Sequence, residues 1–121
     1  MSPTQELSDL FKQWRLLTEE EGGAISSGAW SQVGQCQSAK SRLQPRITEV
    51  SQRVDAGTHE RQFHAVVDEL MQMERRNDAM LKAKRNLAEE QESALNQTQR
   101  NLRQIHKSYI PPARTHWQSY S

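Results

Sequence analysis

Between Thr58 and Ile110 the chain has neither Gly nor Pro, and across that stretch apolar residues return in alternating steps of four and three. Gly57 precedes it and Pro111-Pro112 follow. Such a run predicts a single helix, because nothing within it removes a backbone donor or loosens the backbone. One stripe reads Phe63, Val67, Leu70, Glu74, Asn77, Leu81, Lys84, Ala88, Gln91, Leu95, Thr98, Leu102, Ile105 and Tyr109, beside a seven-residue row of Val66, Met73, Met80, Leu87 and Ala94. A stripe this wide suits more than one neighbour. At ~1.5 Å per residue the helix would run on the order of 75 Å. Asn77-Asp78 puts polar groups into the stripe and marks the place where a break could fold the helix into a hairpin.

Two shorter helices are expected ahead of it. Ser2-Pro3-Thr4-Gln5 reads as a capping box with Pro in the first helical position, and the apolar face that follows is Leu7, Leu10, Phe11, Trp14, Leu17, Ala24 and Ile25. Gly22-Gly23 should fray this helix, and Gly28 offers a left-handed cap at its end. The second helix carries Trp30, Val33, Cys36 or Gln37, Lys40, Leu43, Ile47, Val50 and Val54 in one phase. Pro45 lies inside that phase, so a kink with the proline outward is expected in preference to two helices meeting at Gln44. Trp14 and Trp30 are expected to pack near the ends of the bundle. Thr58 is the expected N-cap of the third helix.

The expected fold is all-α: an elongated, antiparallel, up-down-up three-helix bundle over residues 1–110, with helices at about 3–27, 29–56 and 58–109, and a flexible tail over 111–121. The first two helices are each about half as long as the third, so only Thr58 to roughly Arg85 finds partners within the chain. The far half is left with an apolar row facing water, which a protein seldom tolerates without a partner. Leu87, Ala88, Ala94, Leu95, Leu102 and Ile105 are therefore candidate contacts for another amphipathic helix. That helix could belong to a client or to a second copy of the chain; a closed monomer whose third helix folds back is the competing expectation. Polar Lys84, Gln91 and Thr98 at stripe positions favour an exchangeable interface over a permanent core.

A formal net charge of +1 from 16 basic and 15 acidic residues gives no overall field toward nucleic acid or an anionic membrane. Basic residues at Arg75, Arg76, Lys82, Lys84 and Arg85 alternate with acidic ones and read as a solvated helix face, which argues against nucleic acid as a partner. With one cysteine, Cys36, no internal disulfide can form, and no stretch is apolar enough for membrane insertion. A cytoplasmic protein is expected. His59-Glu60 lacks the second His four residues on that a zinc-protease helix needs, since position 63 is Phe and His64 falls about 140° around the axis. No catalytic or metal-ligating constellation emerges, and neither an enzymatic activity nor a cofactor is expected.

Glu19-Glu20-Glu21, Ala24-Ile25, Gly28-Ala29-Trp30, Val33, Cys36-Gln37, Lys40 and Leu43 together resemble the first helix, turn and second helix of bacterial flagellar type III export chaperones of the FlgN/FliT kind. Asn101-Leu102, Ser108-Tyr109-Ile110-Pro111-Pro112, Trp117 and Ser119-Tyr120-Ser121 resemble the close of such proteins. Ala29, where an Asp often stands, and Pro45 depart from the pattern. The resemblance implies a cytoplasmic chaperone that holds the amphipathic end of a flagellar hook-associated or cap subunit and delivers it to the export gate. It also implies that Tyr109, Trp117 and Tyr120 contact the export machinery. A self-associating coiled-coil scaffold is the alternative, and a nucleic-acid-binding regulator the third.

Overall fold

A computed structural model describes residues 1–109, and from Pro3 onward they lie in three helices or the short joints between them. Helix α1 spans Pro3–Ser27, α2 spans Trp30–Gln52 and α3 spans Ala56–Tyr109. Ser2 caps α1: its hydroxyl accepts from the Gln5 amide at 3.1 Å, and Pro3 takes the position where no amide partner is needed. The Gln5 side chain does not return to Ser2; it donates to Asp9 at 3.1 Å, so half of the expected capping box forms. At the other end Gly28 adopts φ 75°, and its amide reaches the carbonyls of Ala24 and Ile25.

Several boundary expectations need correction. The helix does not fray at Gly22-Gly23; α1 runs through both glycines. The second helix ends at Gln52 and the third begins at Ala56, because Asp55, not Thr58, caps it. The Asp55 carboxylate accepts from the amides of Gly57 and Thr58, each at 3.1 Å, and from the Thr58 hydroxyl. A carboxylate two and three residues ahead of unpaired amides outcompetes a threonine hydroxyl that would have had to leave the helix to do the same work. The expectation of a single second helix with the proline outward holds: Pro45 sits on an exposed position inside one continuous α2. Helix α3 does not break at Asn77-Asp78.

The chain divides into two compact units, Met1–Ala83 and Lys84–Ser121. In the first unit one apolar cluster joins all three helices: Leu7, Leu10 and Phe11 from α1, Val50 beside the Val54 joint, and Phe63 and Leu70 from α3. The Phe11 and Phe63 rings meet tilted at 56° with centres 5.5 Å apart. A second cluster, Ala24, Ile25 and Val33, closes the other end, with Met80 and Leu81 against it. Contacts between α1 and α3 rise together, from Phe11 on Phe63, through Arg15 with Glu69, to Glu21 with Asn77. Those between α1 and α2 run in opposite senses, from Glu6 with Arg46 to Glu20 with Gln32. Trp30, expected to pack, is half exposed at the start of α2, where Ala29 provides no side-chain cap.

In the second unit residues 84–109 belong to α3 alone. Extending a helix already nucleated by a packed first half adds one hydrogen bond per residue fixed, and the Ala, Leu, Glu, Gln, Lys and Arg of this stretch all favour it.

Candidate functional site

Every residue from Arg85 to Ile105 is exposed. The expected contact residues lie among them: Leu87 is 51 %, Leu95 56 %, Leu102 61 % and Ile105 61 % exposed, with Ala88 and Ala94 exposed between them. Spacings of seven between Ala88, Leu95 and Leu102 and between Leu87 and Ala94 place the set along one face of α3. Thr98, a polar intruder in the stripe, turns its hydroxyl back onto the Ala94 carbonyl at 3.0 Å. Gln97 bonds along the helix to Asn101 and accepts from Arg100. Tyr109 is the last residue of α3, while Trp117, Tyr120 and the rest of the expected tail lie outside the described residues.

The first unit contains a feature that periodicity alone mislabelled. Lys40, Glu74 and Asn77 occupy apolar-stripe positions in α2 and α3, yet they are the core's polar centre. The Lys40 ammonium, almost fully buried, donates to Glu21 at 3.2 Å, to Glu74 and to the Thr18 hydroxyl at 3.4 Å, and sits 5.1 Å over the Trp14 ring. Asn77 donates both amide protons into α1, to the Thr18 carbonyl at 2.9 Å and to Glu21 at 3.0 Å. Trp14 donates its indole proton to Glu74 at 3.2 Å. Thr18 has one hydroxyl proton for two acceptors, the Trp14 carbonyl at 2.8 Å and Glu74 at 3.0 Å.

This network also explains Gly22. A Cβ there would stand 2.8 Å from the Asn77 side-chain oxygen, so the absence of a side chain lets α3 seat its amide against the α1 backbone. Neighbouring Gly23 has nothing within 4 Å of a Cβ. The network could have been found by noting that stripe positions on two helices carry groups of complementary character, Lys40 against Glu74 and Asn77.

Between α2 and α3 lies a cleft of about 560 Å³. Phe11 and Trp14 floor it, Ile47 borders it on α2, and Val67, Leu70 and Met71 border it on α3. Met71 is half exposed. Lower on the same side, Asp78 and Leu81 face a second hollow that shares Trp14, Gln44 and Glu74 with the first.

Among the described residues no group of three His, Cys, Asp or Glu side chains converges in a way that could hold a metal ion, and no helix is long and apolar enough to cross a membrane. His59 is engaged with Ser51 at 3.3 Å and lies tilted against the Phe63 ring with centres 5.7 Å apart, and His64 pairs with Glu60 one turn away. Cys36 is buried, and that burial first, then the charges of Glu20 and Glu21, push its thiol up from the ordinary range. Thiols so placed are poor nucleophiles. Compared with protein families, curated proteins and solved structures, the chain matches none.

Proposed function

We propose that the protein is a helical protein-binding module whose exposed α3 face takes up an amphipathic helix of a client, as a flagellar export chaperone would. The observation that carries this reading is the row Leu87, Leu95, Leu102 and Ile105, large apolar side chains each more than half exposed on one helix face. Spaced apolar anchors of this kind are what a helix-in-groove partner engages, and a few of them supply most of the binding energy. Polar Gln91 and Thr98 between the anchors suit an interface that forms and releases. The order of contacts in the first unit supports an up-down-up arrangement of α1, α2 and the first half of α3, which acts as a stable base for the binding helix.

The chaperone form of the reading rests on the sequence resemblance around Glu19–Leu43 and Asn101–Ser121. Under it the client is the amphipathic end of a flagellar hook-associated or cap subunit, Tyr109, Trp117 and Tyr120 contact the export gate, and the protein works in the cytoplasm without catalysis or cofactor. Co-expression with the hook-associated and cap subunits of the same genome tests it. The expected result is a stoichiometric complex with one of them that Leu95→Glu with Leu102→Glu abolishes. A complex indifferent to that double substitution, or no complex with any such subunit, contradicts it.

A further inference from the structure

The groove between α2 and α3 joins an apolar cleft to an acidic hollow, and we infer that it seats an amphipathic helix of a partner protein whose apolar anchors are followed by a lysine or arginine. Both hollows lie wholly within the first unit. This docking surface is separate from the exposed row after Ala83 and does not rest on the client reading.

Shape is the first observation. Side chains link α2 to α3 at two levels, Ser51 with His59 near the joint and Lys40 with Glu74 further along. Between these levels, over roughly three turns or ~16 Å of α2, the cleft of about 560 Å³ opens. Phe11 and Leu70 at its base are already buried in the core, but Trp14, Ile47 and Val67 are only half-buried and Met71 is exposed. Those four present unfinished apolar surface along a groove between two helices, which is the seat into which a further helix packs.

The second observation is what lies below. Glu21, Glu74 and Asp78 line the lower hollow with a single ammonium, Lys40. Lys40 and Asn77 both donate to Oε1 of Glu21, and the donors Lys40, Trp14 and Thr18 gather on Oε1 of Glu74. Among the described residues no donor hydrogen-bonds Oε2 of either carboxylate. Neither Oε2 is sealed from solvent, since no buried side-chain oxygen among the described residues lacks a partner, although the Glu21 side chain is only 5 % exposed. One ammonium shared by two carboxylates leaves a negative charge over, and each carboxylate keeps an oxygen free to accept.

A cationic side chain entering the hollow meets both conditions, and away from bulk water the attraction is screened less than at the surface. Asp78 at the lip is held only by an exposed pair with Lys82 at 2.9 Å. Arg75, the opposing charge, stands exposed on the rim of the upper cleft. Apolar anchors in the upper cleft and a cation in the lower hollow therefore fix both the place and the direction of the partner helix.

The test is binding of fluorescent synthetic peptides to the full chain, read by anisotropy. The probe is a helical peptide of roughly 16 residues with Leu at i, i+4 and i+7 and Lys at i+11, and its two controls carry Gln or Glu in place of the Lys. The Lys peptide is expected to bind with a Kd at or below about 100 μM, and the Glu peptide roughly tenfold or more weaker. Met71→Glu, at an exposed position that leaves the core intact, is expected to weaken the Lys peptide roughly tenfold, and Asp78→Lys to erase its advantage over the Gln peptide. Leu95→Glu with Leu102→Glu is expected to leave binding unchanged. Failure of the Lys peptide to bind at about 100 μM overturns the proposal, as do equal affinities for the Lys and Glu peptides or indifference to Met71→Glu. Loss of binding in the Leu95→Glu, Leu102→Glu chain would put the peptide on the exposed row and overturn it too. A chain that dimerises without peptide and loses the dimer on Met71→Glu assigns the groove to a second copy, which is equally contrary. Capture of a client by the row is read separately, by the co-expression experiment.

Discussion

Gly22 and Gly23 are adjacent in one helix and have opposite reasons for being glycine. At Gly23 a methyl group meets nothing, so Gly23→Ala is expected to stabilise the protein by roughly 0.5–1 kcal/mol through helix propensity. At Gly22 the same change drives a Cβ into Asn77, whose amide is anchored by two hydrogen bonds and cannot move without losing them, and net destabilisation is expected. Urea unfolding of the two variants reads the difference in sign. Lys40 is a sharper case. Its removal strands Glu21, a carboxylate only 5 % exposed at its side chain, so Lys40→Met is expected to cost on the order of 3–5 kcal/mol even though it adds apolar surface. An unchanged unfolding midpoint would show that the network is dispensable.

Asp55 governs acid sensitivity at the start of α3. The Thr58 hydroxyl first, then the Thr58 and Gly57 amides, hold its carboxylate below the ordinary value of 3.8, and Arg15 similarly lowers Glu69. A carboxylate depressed on folding contributes stability that is complete above its unfolded value and is lost as pH falls through the lower folded one. Stability should therefore decline below about pH 4, and Asp55→Asn should flatten that decline, as pH-dependent thermal melts would show.

At the scale of elements, what separates the two halves of α3 is what each side chain touches. Leu70 and Leu95 belong to the same stripe, yet Leu70 is buried in the three-helix cluster and Leu95 is not. Leu70→Ala should cost roughly 2–5 kcal/mol, while Leu95→Glu in dilute, unassociated protein should change stability by no more than about 0.5 kcal/mol. A thermal melt of each variant at low concentration checks both. This contrast also shows how much was legible in the sequence. The helical class was readable because Gly, Pro and apolar spacing act locally, and helix lengths set the end of shared packing near Arg85, two residues from the end of the first unit at Ala83. The cap at Asp55 was missed because Thr58 is an equally plausible cap by composition, and only the backbone geometry of the joint decides between them. Lys40, Glu74 and Asn77 were readable as stripe positions but not as one cluster, since their meeting depends on how three helices are placed against one another. For the same reason the exposed row was visible as a pattern, whereas the cleft lined by Phe11, Ile47 and Met71 was not.

The molecule as a whole combines a base that satisfies its own core with a helical segment that does not. In the base, both apolar clusters and the Lys40 network are closed, and no buried side-chain nitrogen or oxygen among the described residues lacks a partner. In the segment after Ala83 the apolar row has no cover within the described chain. Local stability should follow that division, because amides in a helix without tertiary cover open by fraying and amides in a packed core open only with the fold. Hydrogen exchange on the full chain, diluted until it is monomeric and resolved along α3, measures this most directly. Slow exchange from Phe63 to Asn77 with fast exchange from Ala88 to Leu102 is the expected result; equally slow exchange through both stretches in a proven monomer would contradict it.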